Sequence, residues 1–450
     1  MSLSKHLAEY VVSTKYEDIP EDVVEFTKLC ILDYFSSAIA GKDTPPIRKI
    51  EEMVEMLGGN EQASLINGGK SSVANAALLN GAASHIVEQD DIHKSSIIHA
   101  ATVVIPAALA IGESKKLNGK DLITAVVVGY EVCFRIGEAV SPSHYYYWHN
   151  TATCGTFGSA AATAKLLGLS VEQTVHALGS AGTQAAGLWE FIEDGAMSKQ
   201  LHPAKAAMNG VIAGLLAEKD FTAASKILEG RRGFFEAMSD EFDADKITDG
   251  LGEEFKIMEN SFKVHASCRH THHAMDLVSD FARGKNLNPG EVEKIEVGTY
   301  AVAINITDND EPETVYQGKF SLQYCTALAL VKQNGNLDTF TEENLWDEEV
   351  RNLMDKVTIF TDEAVDRAYP EKWGADVKIH LKNGEAVRLT TEYPKGDPEN
   401  HVTKDDLYEK FMVLAKDIDK SQAEEVAANI LSLEEADDLS TLFPYNVTVK

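Results

Sequence analysis

The chain has 450 residues, is 44% hydrophobic and 25% charged, and carries a formal net charge of −30. That length and mix predict a globular protein of two domains, at roughly 100–200 residues per domain. A surface this acidic argues against nucleic acid or anionic membranes as partners, because both are bound through basic patches. No apolar run approaches the roughly 18 residues of a membrane span. The first residues, MSLSKHLAEYVVSTKYEDIPEDVVEF, lack an apolar signal-peptide core and carry acids at once. The five cysteines, Cys30, Cys133, Cys154, Cys268 and Cys325, are scattered and form no CxxC. Both features predict a reducing, cytoplasmic setting without disulfides or a thiolate metal site.

In chain order, residues about 4–40 predict two helices. Pro20, Glu21 and Asp22 suit a helix start, and Gly41 a stop. A further helix covers IRKIEEMVEML. Helices rich in small residues are then expected at 100–114, 121–138, 156–167, 171–186 and 204–218. Their Ala and Gly content predicts closely packed helices. Residues 1–268 therefore read as an all-helical domain.

Polar islands interrupt it. The densest is HIVEQDDIHKSSIIH at 85–99, with His85, His93, His99, Glu88, Asp90, Asp91 and Lys94. It lies between the apolar runs SSVANAALLNGAA and AATVVIPAALAIGE. Titratable groups so placed suit the floor of a pocket, where burial and neighbouring charge shift pKa values. They equally suit a solvated loop between core helices. The second island, SPSHYYYWHN, brings His144 and His149 to a helix entrance, a place that suits a carboxylate. The third, SKQLHPAK, holds Lys199, His202 and Lys205.

Near residue 260 the pattern changes. NSFKVHASCRHTHHAMD gathers Lys263, His265, Cys268, Arg269, His270, His272 and His273. It has neither HExxH nor paired Cys/His spacing, so zinc is not indicated. Strand-like alternation follows at 293–305, 355–362 and 375–393, the last with a hairpin signal at Asn383-Gly384. Helical runs lie between. Residues 269–397 read as a smaller α+β domain, and 398–450 return to helix.

The ordered motifs ILDYFSSAIAG, NGAASHIVEQDDIHKSSIIHAA, HNTATCGTFGSAAATAKLLGLS, SKQLHPAKAAMNG, FKVHASCRHTHHAMD, KFSLQYCTALAL, KNGEAVRL and YPKGDPEN resemble the MmgE/PrpD family along essentially the whole chain. That family includes 2-methylcitrate dehydratase, cis-aconitate decarboxylase and iminodisuccinate epimerase. The resemblance implies a large helical domain with an α+β lid domain, a homodimer, and no metal or organic cofactor. It implies catalytic roles for Asp91, His99, His149, Lys263 and Tyr324. It places Glu88, Lys199, His202, Cys268 and Arg269 at a substrate-binding site. Two departures stand out. Ile92 occupies a position where many members have Thr. Cys268 stands where the decarboxylases place a histidine, which counts against decarboxylation.

The family's chemistry breaks a C–H bond beside a carboxylate. Cations must hold the carboxylate and steady the developing enolate charge. A histidine moves the proton, either His99 or His149. The leading expectation is a cofactor-independent hydro-lyase of the 2-methylcitrate dehydratase type, acting on a small di- or tricarboxylate. An iminodisuccinate-type epimerase and a cis-aconitate-type decarboxylase are the alternatives. A non-catalytic carboxylate-binding protein and a metal hydrolase are rivals from other classes.

Overall fold

A computed structural model describes residues 2–443. It divides into two compact units. The first comprises the chain up to Ile86, Asp90–Asn260, and the segment from Thr403. The second comprises Val87–Gln89 and Ser261–Val402. The chain is mainly helical, with an α+β second unit, as the sequence predicts. Among the described residues no helix is long and apolar enough to cross a membrane.

The helical unit is built on α1 (Glu21–Gly41), α2 (Val73–His85), α3 (Ala101–Lys115), α4 (Gly119–Val140), α5 (Asn150–Leu166) and α6 (Leu201–Glu218). Local chemistry sets their ends. Asn118 and Asp121 form a reciprocal capping box at the start of α4, each side chain accepting the other's backbone N–H at 3.1 Å. Ser72 caps α2 by accepting the Asn75 N–H. Helices α2, α3 and α5 are buried over nearly all their length, which explains why none shows a strong polar face. Glycines let them approach. A Cβ on Gly158 would lie 2.6 Å from the Gly129 carbonyl oxygen and 2.8 Å from the Cys133 Cβ. One on Gly210 of α6 would lie 2.4 Å from the Ser159 Cβ. Two later helices, within 404–431, return to this unit.

In the α+β unit a four-stranded sheet combines β1 (Val292–Thr299), β2 (Val357–Thr361), β3 (Ala375–Leu381) and β4 (Ala386–Thr391) in the order β2-β1-β3-β4. β1 and β2 are parallel, with Ile295 opposite Val357. β1–β3 and β3–β4 are antiparallel, with Ile295 opposite Ile379 and Ile379 opposite Val387. The β3–β4 hairpin turns at Asn383-Gly384, where Gly384 has φ +88°. Helices α7 (Arg269–Lys285) and α8 (Leu322–Lys332) cover one face, packing Met275, Val278 and Leu328 on Ile295, Val297, Val377 and Ile379. The first strand is shorter than its alternation suggests. Residues Ala301–Thr307 are helical, because the Asp366 carboxylate accepts the Ala301 N–H at 2.8 Å and caps a new turn. The expected boundaries at 268/269 and 397/398 fall within this unit. Helices α9 (Lys404–Leu414) and α10 (Lys420–Leu431) follow it and belong to the helical unit.

The Gly129–Gly158 crossing yields a stability prediction. Gly158→Ala should cost about 1–3 kcal/mol, since a backbone carbonyl opposes the new methyl and cannot rotate away. Urea unfolding of both proteins measures it; an unchanged midpoint would mean that the helices can separate at no cost.

Candidate active site

The HIVEQDDIHKSSIIH island is not a solvated loop: His85, Asp90, Asp91, His93 and His99 are all buried. Helix α2 ends on His85, and the chain then makes a tight reversal. The His93 N–H donates to the Ile98 carbonyl at 3.0 Å, and the Ile97 N–H to the His93 carbonyl at 2.8 Å. Ile97 takes φ +53°, unusual for a β-branched residue. Helix α5 clips the loop in place through Asn150 Nδ2 to the Ser96 carbonyl, 2.7 Å, and Thr151 Oγ1 to the His99 N–H, 3.1 Å.

Within this frame one carboxylate oxygen serves two imidazoles. Asp90 Oδ2 lies 2.7 Å from His85 Nδ1 and 3.0 Å from His99 Nδ1. His99 Nδ1 also lies 2.6 Å from the Asp91 carbonyl oxygen. A carbonyl only accepts, so His99 carries its proton on Nδ1 and presents a lone pair on Nε2. Such a nitrogen suits a general base.

Asp91 does something different. Its Oδ1 accepts the Ala101 N–H at the start of α3, 3.1 Å away. Its Oδ2 accepts from the Tyr130 hydroxyl at 2.8 Å and Asn260 Nδ2 at 2.6 Å. Burial, with help from the charge of Asp33, pushes its pKa up to about 7. The structure thus turns the Asp91 side chain into the helical core, while its carbonyl orients His99.

His149 and His202 form a second imidazole pair, Nδ1 to Nδ1 at 3.0 Å, with one proton between them. His149 sits at the N-cap of α5, its N–H on the Gly187 carbonyl at 2.9 Å. Its ring lies 5.8 Å from that of His85 and 6.5 Å from that of His99. Burial first, then His202, His85 and Lys199, hold His149 well below the ordinary histidine range. Burial, then His85 and Lys199, lowers His202 to about 4. Both are neutral at neutral pH. Lys199, buried in the turn before α6, is the cation next to them. His144 stands apart from this group, its ring nitrogens on the Met238 carbonyl and Thr153 Oγ1. The helical unit therefore gathers His99, His149, His202 and Lys199 from the expected set, whereas the Asp91 side chain, expected to be catalytic, turns to the core and only its carbonyl reaches His99. The unit adds His85 and Asp90, which the sequence holds in plain view but which no spacing rule singles out.

In the α+β unit, Lys263 Nζ lies 3.2 Å from Glu88 Oε2, both side chains 1% exposed. Glu88 has φ +59°. Lys319 Nζ donates to the carbonyl of the preceding Val87 at 2.8 Å, and the Lys319 carbonyl accepts the Cys268 N–H at 2.9 Å. Glu88 and Cys268 are also the electrostatic neighbours of Tyr316, whose buried hydroxyl has no hydrogen-bond partner among the described residues. Sequence reasoning passed over Tyr316 and Lys319. Tyr324 lies on α8 with its ring 6.3 Å from Phe340, and its charged neighbours are Arg351 and Asp347. Arg269 pairs with Asp397 and donates to the Lys395 carbonyl at 3.0 Å, clamping the YPKGD turn.

The HTHH histidines have separate partners. His270 Nδ1 meets the Tyr300 hydroxyl at 2.7 Å, His272 Nδ1 meets Arg269 at 3.0 Å, and His273 Nε2 meets Thr299 at 3.2 Å. Elsewhere among the described residues, two sets of donor atoms lie within 4.8 Å of one another: His85, Asp90 and His99, and His93, Glu138 and Glu259. In the first, both imidazoles face the carboxylate through Nδ1, so a metal would have to displace those protons. In the second, Lys256 already bridges Glu138 at 3.4 Å and Glu259 at 3.0 Å.

Asp91 gives a pH prediction. Its folded pKa, about 7, lies above an unfolded value of about 3.9. Its stabilising contribution is therefore full below about pH 4 and is lost as pH rises through 7. Asp91→Asn removes that titration. Its melting temperature relative to the parent chain should climb between pH 5 and pH 8; a pH-independent difference would show that Asp91 does not titrate there.

Residues 5–246 match the MmgE/PrpD N-terminal domain, and residues 265–435 match the MmgE/PrpD C-terminal domain. The cis-aconitate decarboxylase of Aspergillus terreus is 30% identical, over 95% of this chain and 92% of its own length. The cis-aconitate decarboxylase-like protein oryM of Aspergillus oryzae is 28% identical, over 98% and 96%. The cis-aconitate decarboxylase of Mus musculus is 24% identical, over 98% and 92%. With both family domains matched in order over most of its length, the chain belongs to the MmgE/PrpD family.

Proposed function

We propose that this protein is a lyase that acts on a small di- or tricarboxylate by moving a proton at the carbon beside a carboxylate. Dehydration of a 2-methylcitrate-like hydroxy acid is the leading reaction. The observation that carries this reading is the buried cluster of His99, Asp90, His149, His202 and Lys199. Its histidine tautomers are set, and a cation stands beside them.

His99 Nε2 takes the proton from the α-carbon. The resulting imidazolium is steadied by Asp90, whose Oδ2 stands 3.0 Å from Nδ1. The electron pair of the broken C–H bond becomes the new C=C bond. Lys199 neutralises the carboxylate on which charge builds in the transition state. As the C–O bond breaks, the departing hydroxide takes the proton now carried by the His99 imidazolium and leaves as water, which restores His99 as a base. Lys263, held by Glu88 in the α+β unit, keeps the role that the family resemblance implies. Tyr324, Cys268 and Arg269 keep the roles that the family resemblance implies.

A second reading is decarboxylation of cis-aconitate, favoured by the names of the relatives. There the bond that breaks is C–C; carbon dioxide leaves, and the carbanion takes a proton from a histidine.

Proton NMR in heavy water, with 2-methylcitrate, citrate, cis-aconitate, malate and iminodisuccinate, separates these outcomes. Loss of water with a new alkene signal is expected. Carbon dioxide release from cis-aconitate would establish the second reading, and deuterium uptake without net loss would indicate an epimerase. His99→Ala should lower turnover by about 10²–10⁴-fold. Wild-type turnover in that variant would remove His99 from the role of base.

A further inference from the structure

His85 is the most enclosed member of the histidine cluster, with no exposed surface. Its Nδ1 faces Asp90 Oδ2 at 2.7 Å. A carboxylate oxygen accepts, so a His85 proton belongs on Nδ1, and in the neutral ring Nε2 presents a lone pair. That Nε2 is buried and has no hydrogen-bond partner among the described residues. A buried acceptor left unpaired costs about 1–3 kcal/mol, so the position calls for a donor. The ring lies 4.9 Å from His99 and 5.8 Å from His149, inside the candidate site and not at its margin.

The surrounding groups limit what that donor can be. His99 also presents a lone pair on Nε2, because its Nδ1 proton is held by the Asp91 carbonyl. His149 and His202 are neutral and share a proton. Lys199 is the cation beside them. An ionised carboxylate suits Lys199 but would set lone pair against lone pair at His85. A hydroxyl group fits His85, since its O–H donates where nothing else does.

We infer that the ligand of this site is a hydroxy acid, whose hydroxyl group donates a hydrogen bond to His85 Nε2 while a carboxylate meets Lys199. This deepens the proposed carboxylate chemistry and rests on it. His85 holds and orients the hydroxyl; the proton that converts it to water comes from another donor. In the direction of hydration, the same nitrogen accepts from the incoming water. A substrate without a hydroxyl, such as cis-aconitate, leaves Nε2 unpaired unless water fills the place.

Isothermal titration calorimetry on the full chain tests this with two matched pairs: citrate against propane-1,2,3-tricarboxylate, and malate against succinate. Each pair differs by one hydroxyl. The parent chain should bind the hydroxy acid of at least one pair about tenfold more tightly or better. His85→Phe should bring that ratio close to one, whatever the loss of the His85–Asp90 bond does to the affinity of both acids of the pair. His85→Gln, which can still offer an acceptor oxygen, should recover part of the preference. Equal binding within both pairs by the parent chain overturns the inference and leaves the carboxylate reading standing. So does a preference that survives in His85→Phe. Binding of none of the four acids overturns the carboxylate reading and this inference with it. The parent-chain ratio needs no variant, so the test holds even if His85→Phe fails to fold.

Discussion

A single carboxylate oxygen, Asp90 Oδ2, faces the Nδ1 atoms of both His85 and His99. Asp90 has no exposed surface, so the oxygen has lost the water that would otherwise solvate its charge. Hydrogen bonds to a charged group contribute about 1.5–3 kcal/mol each, and two of them offset much of that desolvation. Their larger effect is on direction. Each fixes a proton on one imidazole's Nδ1, and in the neutral ring the opposite nitrogen is then the acceptor. The chemistry available to the cluster follows from that choice of tautomer.

Adjacent residues carry opposite tasks here. Asp90 faces the imidazoles, while Asp91 faces Tyr130, Asn260 and the first turn of α3. The chain bends at Asp90, so the pair DD divides one carboxylate for the site and one for the core. The Asp91 backbone still reaches the site, through its carbonyl on His99. His149 and His202 are held neutral by burial and by the neighbouring charges, and Lys199 supplies a local positive charge within a chain of net charge −30. A carboxylate approaching this surface is repelled at long range. Within a Debye length of about 8 Å the buried cation takes over. Such a site selects by close contact and not by steering.

How much of this was legible depends on the period of the signal. The helices of the first unit follow from their apolar spacing. Their tight packing follows from Gly129, Gly158 and Gly210, where any side chain would collide with a neighbour. The β3–β4 hairpin follows from Asn383-Gly384. HTHH illustrates the opposite case. Its density suggests shared chemistry, but residues on a helix advance by about 100° each, so His270, His272 and His273 reach different partners. The division between Asp90 and Asp91 was hidden for another reason. It depends on an irregular reversal in which Ile97 adopts a left-handed conformation that no propensity scale would give it. Tyr316 and Lys319 were hidden because their positions are fixed by tertiary contacts far away in sequence.

That reversal also explains how the cluster is held. A non-glycine residue at positive φ costs on the order of 1–3 kcal/mol and persists only where surrounding bonds over-determine it. For Ile97 these bonds are its own N–H on the His93 carbonyl, the His93 N–H on the Ile98 carbonyl, and Asn150 Nδ2 on the neighbouring Ser96 carbonyl. Glu88 is the same case in the α+β unit, with Lys319 on the Val87 carbonyl and Lys263 on its carboxylate. In both places strain is concentrated in the backbone beside a charged or titratable side chain, and helices or paired charges hold it. A turn relaxed to ordinary dihedrals would let His99 and Glu88 rotate away from their partners, and each ligand would then have to reassemble the site on binding. Fixing the groups during folding moves that ordering cost out of the binding step, which is how preorganised dipoles come to act on a transition state without rearranging.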